Sequence, residues 1–188
     1  MALITGRRVD TFVIDPPWPK KKGGKRAARP NQSRDLDYPT MSVPEIFNLL
    51  DEMVLSLASP THNVFLWEID QFIHTGEQAM FDRGYNLHAR FVWDKGNGVA
   101  PAFTVRYAHE YLVWFYKPKL LPIDTAYRGK FTTVIRAPQR EHSRKPDAAY
   151  EMVKHLYPSA VLMDVFSREK RTGWLQFGNQ TDHFQHET

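Results

Sequence analysis

At 188 residues, 42% hydrophobic and without a cysteine, the chain has the size of one domain with a sizeable core. It has no means of forming disulfides or thiolate metal sites, and it lacks the thiol nucleophile that cytosine C5 methylation ordinarily uses. Net charge is only +4, yet Lys20, Lys21, Lys22, Lys25, Arg26 and Arg29 fall between Pro19 and Pro30 with no acid among them, which points to a polyanionic partner.

No apolar run reaches the roughly 18 residues of a membrane span, and residues 1–10 carry no hydrophobic block of a signal peptide. A cytosolic (cytoplasmic) protein that keeps off membranes is expected.

The first element ends in Thr11-Phe12-Val13-Ile14, an apolar run that reads as a buried strand. It runs into Asp15-Pro16-Pro17-Trp18. Each proline lacks an N–H and fixes its own φ, so the strand stops and Asp15 is held at its tip by a stiff backbone. Trp18 is expected to project beside it. A carboxylate, a carbonyl of Asp15 or Pro16 freed from sheet pairing, and an indole suit an exocyclic amine on a flat ring. Adenine N6 and cytosine N4 both fit. A strand that simply ends in an acid and a proline turn is the plain alternative.

Residues 19–37 have no apolar period and read as a basic, mobile loop placed to grip phosphates. Gly23-Gly24-Lys25 lacks the upstream glycine and following Ser or Thr of a phosphate loop. Ser42 with Glu45 forms a capping box, with Pro44 tolerated in the first turn. The helix it opens is expected to run to about Ala58, with Ile46, Leu49, Leu50, Met53 and Leu57 on one face. His62–Glu68 reads as a strand, Gln71–Arg83 as a helix closed by Gly84, and Asn86–Trp93 as the next strand. Glycines and Pro101 make residues 96–106 a second loop. An aromatic strand, Tyr111–Tyr116, follows Arg106-Tyr107-Ala108-His109-Glu110.

Phe131–Ile135 reads as a short strand. Pro146 opens a helix whose apolar face is Tyr150, Val153, Leu156 and Tyr157. Lys145 stands just before that helix, where free N–H groups also favour an anion. Ala160–Phe166 is a buried strand. Strands alternating with helices give an α/β sheet covered on both faces, with ligands beyond the carboxyl ends of its strands, where Asp15 and Phe166–Arg168 lie. No HExxH or paired Cys/His spacing occurs, so no metal is expected.

Asp15-Pro16-Pro17-Trp18 resembles the catalytic motif of amino-methylating, S-adenosylmethionine-dependent methyltransferases. Three further stretches, His142-Ser143-Arg144-Lys145-Pro146-Asp147, Phe166 to Trp174 and Gly178-Asn179-Gln180, extend the likeness. Together they resemble the MT-A-seventy family of N6-adenine methyltransferases, in its short bacterial and phage form, over about residues 9–181. The resemblance implies a Rossmann-like fold, mostly parallel and in permuted order, with the catalytic motif first and the cofactor strand last.

It further implies that Asp15 binds the target amine and faces the cofactor, that Pro16 and Pro17 shape the backbone, and that Trp18 stacks on the base. Lys145 reaches the cofactor's carboxylate, while Phe166, Arg168, Asn179 and Gln180 line its ribose and adenine side. Tyr38 closes over the target, Lys95 contacts phosphate or base edge, and His109 positions rather than transfers protons. Ser167 stands where some relatives carry Gly. The expected substrate is adenine in nucleic acid, DNA before RNA, with a homodimer or partner subunit as a further source of specificity. The rival readings are an RNA methyltransferase, a cytosine N4 enzyme and a catalytically inactive nucleic-acid-binding subunit.

Overall fold

The computed structural model describes residues 8–19, 39–96, 107–141 and 144–184. The basic segment with Lys20, Lys21, Lys22, Lys25, Arg26 and Arg29, together with Tyr38 and most of the second loop, lies outside the described residues.

Seven strands form one sheet: β1 (Val9–Ile14), β2 (Ala58–Glu68), β3 (Asn86–Asp94), β4 (His109–Lys117), β5 (Val134–Arg136), β6 (Leu162–Val165) and β7 (Trp174–Phe177). Their spatial order is β5-β3-β4-β2-β1-β6-β7. The pairings β1–β2, β1–β6, β6–β7 and β3–β5 are parallel, and β4 runs antiparallel to both of its neighbours. The sheet is thus mostly parallel, as expected. Central β1 is apolar nearly throughout because both of its faces are covered.

The period of two sorts the strands cleanly. Phe12 and Ile14, Val64 and Leu66, Val113 and Phe115, and Met163 and Val165 face one side. There they pack on α1 (Val43–Leu49) and α2 (Ile73–Asp82) through Ile46, Phe47 and Met80. Val13, Phe65, Trp67, Leu112, Trp114 and Leu162 face the other side, under Ala149, Tyr150, Met152 and Val153 of α3 (Asp147–Leu156).

The Ser42–Glu45 capping box is present in both directions, with Pro44 in the first turn of α1. The helix predicted to reach Ala58 continues past Leu49 as a π-helical turn, Leu50–Val54, and a 3-10 turn, Leu55–Leu57. β2 accordingly starts at Ala58 rather than His62. The last strand, β7, was not expected. None of the helices among the described residues is long and apolar enough to cross a membrane.

Candidate active site

β1 has β2 on one side and β6 on the other, and the helices that lead into those two strands, α1 and α3, lie on opposite faces of the sheet. Such a switch point opens a crevice beyond the strand tips, and Asp15 and Phe166 stand at it. The antiparallel β4 begins at this same end, so Glu110 arrives there on the α3 side, in phase with Leu112 and Trp114. β3 ends there too, delivering Lys95. Lys145 comes in ahead of α3. Its turn is pinned by Arg140, which donates to the Lys145 carbonyl at 2.5 Å and to both oxygens of Asp147 at 2.8 and 3.0 Å.

The four side chains make a row of alternating charge. Lys145 Nζ lies 3.0 Å from Asp15 Oδ1 and 2.9 Å from Glu110 Oε2, and Glu110 Oε1 takes Lys95 Nζ at 2.6 Å. The ammoniums of Lys145 and Lys95 also lie over the rings of Trp67 and Trp93, at 5.5 and 5.0 Å. Burial opposes ionisation of Glu110, but the two lysines outweigh it and hold its carboxyl down at about 2. Burial disfavours the Lys145 ammonium, yet Asp15 and Glu110 raise its pKa above the ordinary lysine value. Asp15 goes the other way: burial lifts its carboxyl above the usual aspartate range despite Lys145. Among these groups Asp15 is the carboxylate that takes a proton more readily.

Beside this row lies a pocket bordered by Asp15, Lys145 and Tyr150 on one side and by Asp164, Phe166, Arg168 and Arg171 on the other. Phe166 holds φ +60°, which re-aims the chain out of β6; a bulky residue in this region signals a constrained site. Gly178 packs against it so closely that a Cβ would fall 2.9 Å from the Ser167 carbonyl oxygen and 3.0 Å from its nitrogen. Ser167 N–H donates to the Phe177 carbonyl at 3.2 Å, and Arg168 Nε donates to Gln180 Oε1 at 2.9 Å. Deeper in, Tyr150 O–H donates to Asp164 Oδ1 at 3.4 Å and Arg171 lies 3.5 Å above the Tyr150 ring. Burial pushes the Asp164 carboxyl up to about 7, against Arg171.

The donor set fits an amino-acid nucleoside such as S-adenosylmethionine. Lys145 and Arg144 suit its carboxylate, Asp164 its amino group, and Arg168 with Gln180 its hydroxyls. The glycine cradle at Gly178 lets the backbone come close.

Several expected site residues sit differently from their sequence reading. Trp18 does not project. It is 5% exposed, its N–H donates to the Trp67 carbonyl at 2.9 Å, and Phe72 stacks on its ring at 5.3 Å. A flat apolar ring beside a second hydrophobic layer gains about 1.5–3 kcal/mol by burial, and the indole N–H finds a partner there. Trp18 therefore straps the proline turn to β2, and base stacking is not assigned to it. The Pro16 carbonyl already accepts the Trp18 N–H at 2.8 Å, and that of Pro17 accepts Met41 N–H at 3.0 Å. Each of these carbonyls keeps a second lone pair, so the Asp15 and Pro16 carbonyls both stand as backbone acceptors beside the Asp15 carboxylate. Lys95 is buried on Glu110 rather than extended toward a phosphate. His109 meets Tyr111 O–H at 3.0 Å and Asn179 is exposed, and neither placement runs against its sequence reading.

Glu110 and Asp164 were missed as site residues. An acid two residues ahead of Leu112, in phase with the buried side of an aromatic strand, was the available signal for Glu110.

A switch-point crevice with an acid at the β1 tip and a glycine-cradled loop after β6 is the arrangement of a Rossmann-like methyltransferase. The chain belongs to the MT-A70 (MT-A-seventy) family, whose model matches residues 9–180. It is similar to a putative N(6)-adenosine-methyltransferase MT-A70-like protein of Medicago truncatula, 27% identical over 90% of this chain and 26% of that protein. It is also similar to the human N(6)-adenine-specific methyltransferase METTL4, 24% identical over 94% of this chain and 38% of that protein. The type II methyltransferase M.MunI of Mycoplasma sp is 25% identical over 92% of this chain and 77% of its own length. The chain spans about a quarter of the length of the plant relatives it matches.

Proposed function

We propose that the chain transfers a methyl group from S-adenosylmethionine to the N6 amine of adenine in DNA. The observation that carries this reading is Asp15, fixed at the β1 tip with Lys145 on Oδ1 and the nucleoside-fitting pocket alongside. S-adenosylmethionine supplies an electrophilic methyl on a positively charged sulfur. Asp15 accepts one amine N–H through Oδ2, and the Asp15 or Pro16 carbonyl accepts the other. Two acceptors placed this way favour a tetrahedral nitrogen and draw its lone pair out of the ring, so placement and electrostatics supply much of the catalysis. The proton is lost during or after transfer. Asp15, raised above the usual aspartate range, is the group suited to hold it, while Lys145 remains an ammonium and keeps the carboxylate oriented. A target base in a duplex must be flipped out, at a cost of a few kcal/mol.

DNA is favoured by the likeness to the Mycoplasma type II methyltransferase, aligned over 92% of this chain. A second reading, adenosine in RNA, is favoured by the names of the plant relatives. Labelled S-adenosylmethionine offered with single- and double-stranded DNA and matching RNA separates them by nucleoside mass analysis. We expect N6-methyladenine in DNA, and a loss of about 100-fold or more in Asp15→Ala. Product only in RNA selects the second reading. No product and no cofactor binding would sink both and favour an inactive subunit.

A further inference from the structure

The segment after β7 does not leave the molecule at Gly178. It turns back: His183 N–H donates to the Gln180 carbonyl at 2.9 Å, and Phe184 N–H donates to the Arg168 carbonyl at 2.8 Å. Phe184 pairs with Glu169 as an isolated parallel bridge. The Phe184 ring borders the same pocket as Asp15. It meets a guanidinium from each wall, Arg168 at 4.7 Å from the loop after β6 and Arg144 at 5.4 Å from the segment before α3. Arg144 is in turn anchored on Glu169 at 2.5 Å. The family match ends at residue 180, so residues 181–184 lie beyond it.

We propose that residues 180–184 are a strap across the cofactor pocket and that Phe184 is its latch, retaining a bound adenine nucleoside cofactor. This rests on the cofactor reading above. The two segments the ring rests on are already tied to each other through Arg144 and Glu169, so the ring can leave its two guanidiniums while the pocket walls stay in place, and its release uncovers the part of the pocket it borders. Its attachments are of the kind that open easily. They include the Arg168–Gln180 hydrogen bond at 2.9 Å, the Phe184 N–H bond to the Arg168 carbonyl and its bridge to Glu169, two cation–π contacts worth about 0.5–1 kcal/mol each at exposed sites, and an exposed Lys170–Asp182 ion pair at 2.8 Å. Closures that admit and release ligands are drawn from this low-stability end. A latch of this strength slows dissociation without changing which ligand fits.

The test is the release rate of S-adenosylhomocysteine from the full chain by stopped-flow displacement, a reading independent of turnover. Phe184→Ala should release it about 5- to 30-fold faster, since two contacts of about 0.5–1 kcal/mol set that range. Phe184→Tyr should stay within about twofold of the wild type. Asp182→Ala, which loosens the strap from outside the pocket, should release faster by a smaller factor and covers the case of a poorly folded Phe184→Ala. Equal release rates in wild type, Phe184→Ala and Asp182→Ala would overturn the strap alone. Absence of S-adenosylhomocysteine binding to the wild type would overturn the cofactor reading, and the strap with it.

Discussion

Glu110 and Glu68 sit on neighbouring strands at the same end of the sheet and meet opposite fates. Glu110 faces α3, between two ammoniums, and is held at about 2. Glu68 is in phase with Val64 and Leu66 and so faces α2, where it is 1% exposed and neither oxygen has a hydrogen-bond partner. Burial, reinforced by Glu77 and only partly offset by Arg90, pushes its carboxyl from the ordinary 4.5 up to about 9. The folded chain therefore keeps a proton on Glu68 that the unfolded chain gives up above its ordinary value. Folding takes up a proton, so this residue's contribution to stability falls as pH climbs from about 4.5 toward about 9. Glu68→Gln removes the titration. The two proteins should melt together near pH 4.5, and the variant should gain roughly 2 kcal/mol by pH 8. That is below the ideal of about 1.4 kcal/mol per pH unit, because water relaxes buried charges. For a chain this long the gain amounts to about 4–8 °C in Tm. A variant whose melting follows the wild type across that range would show that Glu68 is ionised in the fold.

Among the elements, the contact between the loop after β6 and the tail of β7 shapes the pocket side proposed to hold the cofactor. Backbone, not a movable side chain, stands where a Cβ of Gly178 would go. Gly178→Ala must therefore push the tail off Ser167. A loss of about 1–3 kcal/mol is expected, together with weaker S-adenosylhomocysteine binding in calorimetry. Gly173 is the control: its φ is +83° but nothing lies within 4 Å of its Cβ position. Gly173→Ala should cost about 1 kcal/mol of backbone strain and leave binding unchanged. Equal binding losses in both would remove the close approach as the cause.

The same elements show why some of the molecule was legible in sequence. β1 and β6 were readable because buried central strands are apolar nearly throughout, and α1 because its cap is written in Ser42 and Glu45. β7 was not, because Trp174–Phe177 is a short edge strand, half-buried at every position, and carries neither a buried run nor an alternation. Motif adjacency could not give direction either. Trp18 follows Asp15 by three residues, but the proline turn sends the carboxylate toward α3 and the indole toward α2. The row from Lys95 to Asp15 spans segments brought together by the antiparallel setting of β4 and by the turn before α3.

On the proposed reading, a polynucleotide must gain its affinity from cations that the fold does not itself use. Much of the charge at the site is internally matched: Lys95 and Lys145 face Glu110 and Asp15, and Arg140, Arg144 and Arg171 face Asp147 and Glu169. These cations orient groups within the protein and add little to a long-range field. The net charge of +4 is smaller than the six positive charges at Lys20, Lys21, Lys22, Lys25, Arg26 and Arg29, so the remainder of the chain is slightly acidic. Binding strength should therefore depend on that one segment. Each phosphate it neutralises steepens the fall of log K with log salt by about 0.9 on duplex DNA and about 0.7 on a single strand. Replacing all six by Gln should flatten the slope by up to about 5 on duplex DNA. S-adenosylhomocysteine affinity should stay put, because Asp15, Lys145 and Arg168 are untouched. Fluorescence anisotropy across a salt series reads the first quantity and calorimetry the second. An unchanged slope would locate the phosphate contacts elsewhere on the molecule, and a parallel loss of cofactor binding would make the segment part of the pocket rather than a separate grip on the strand.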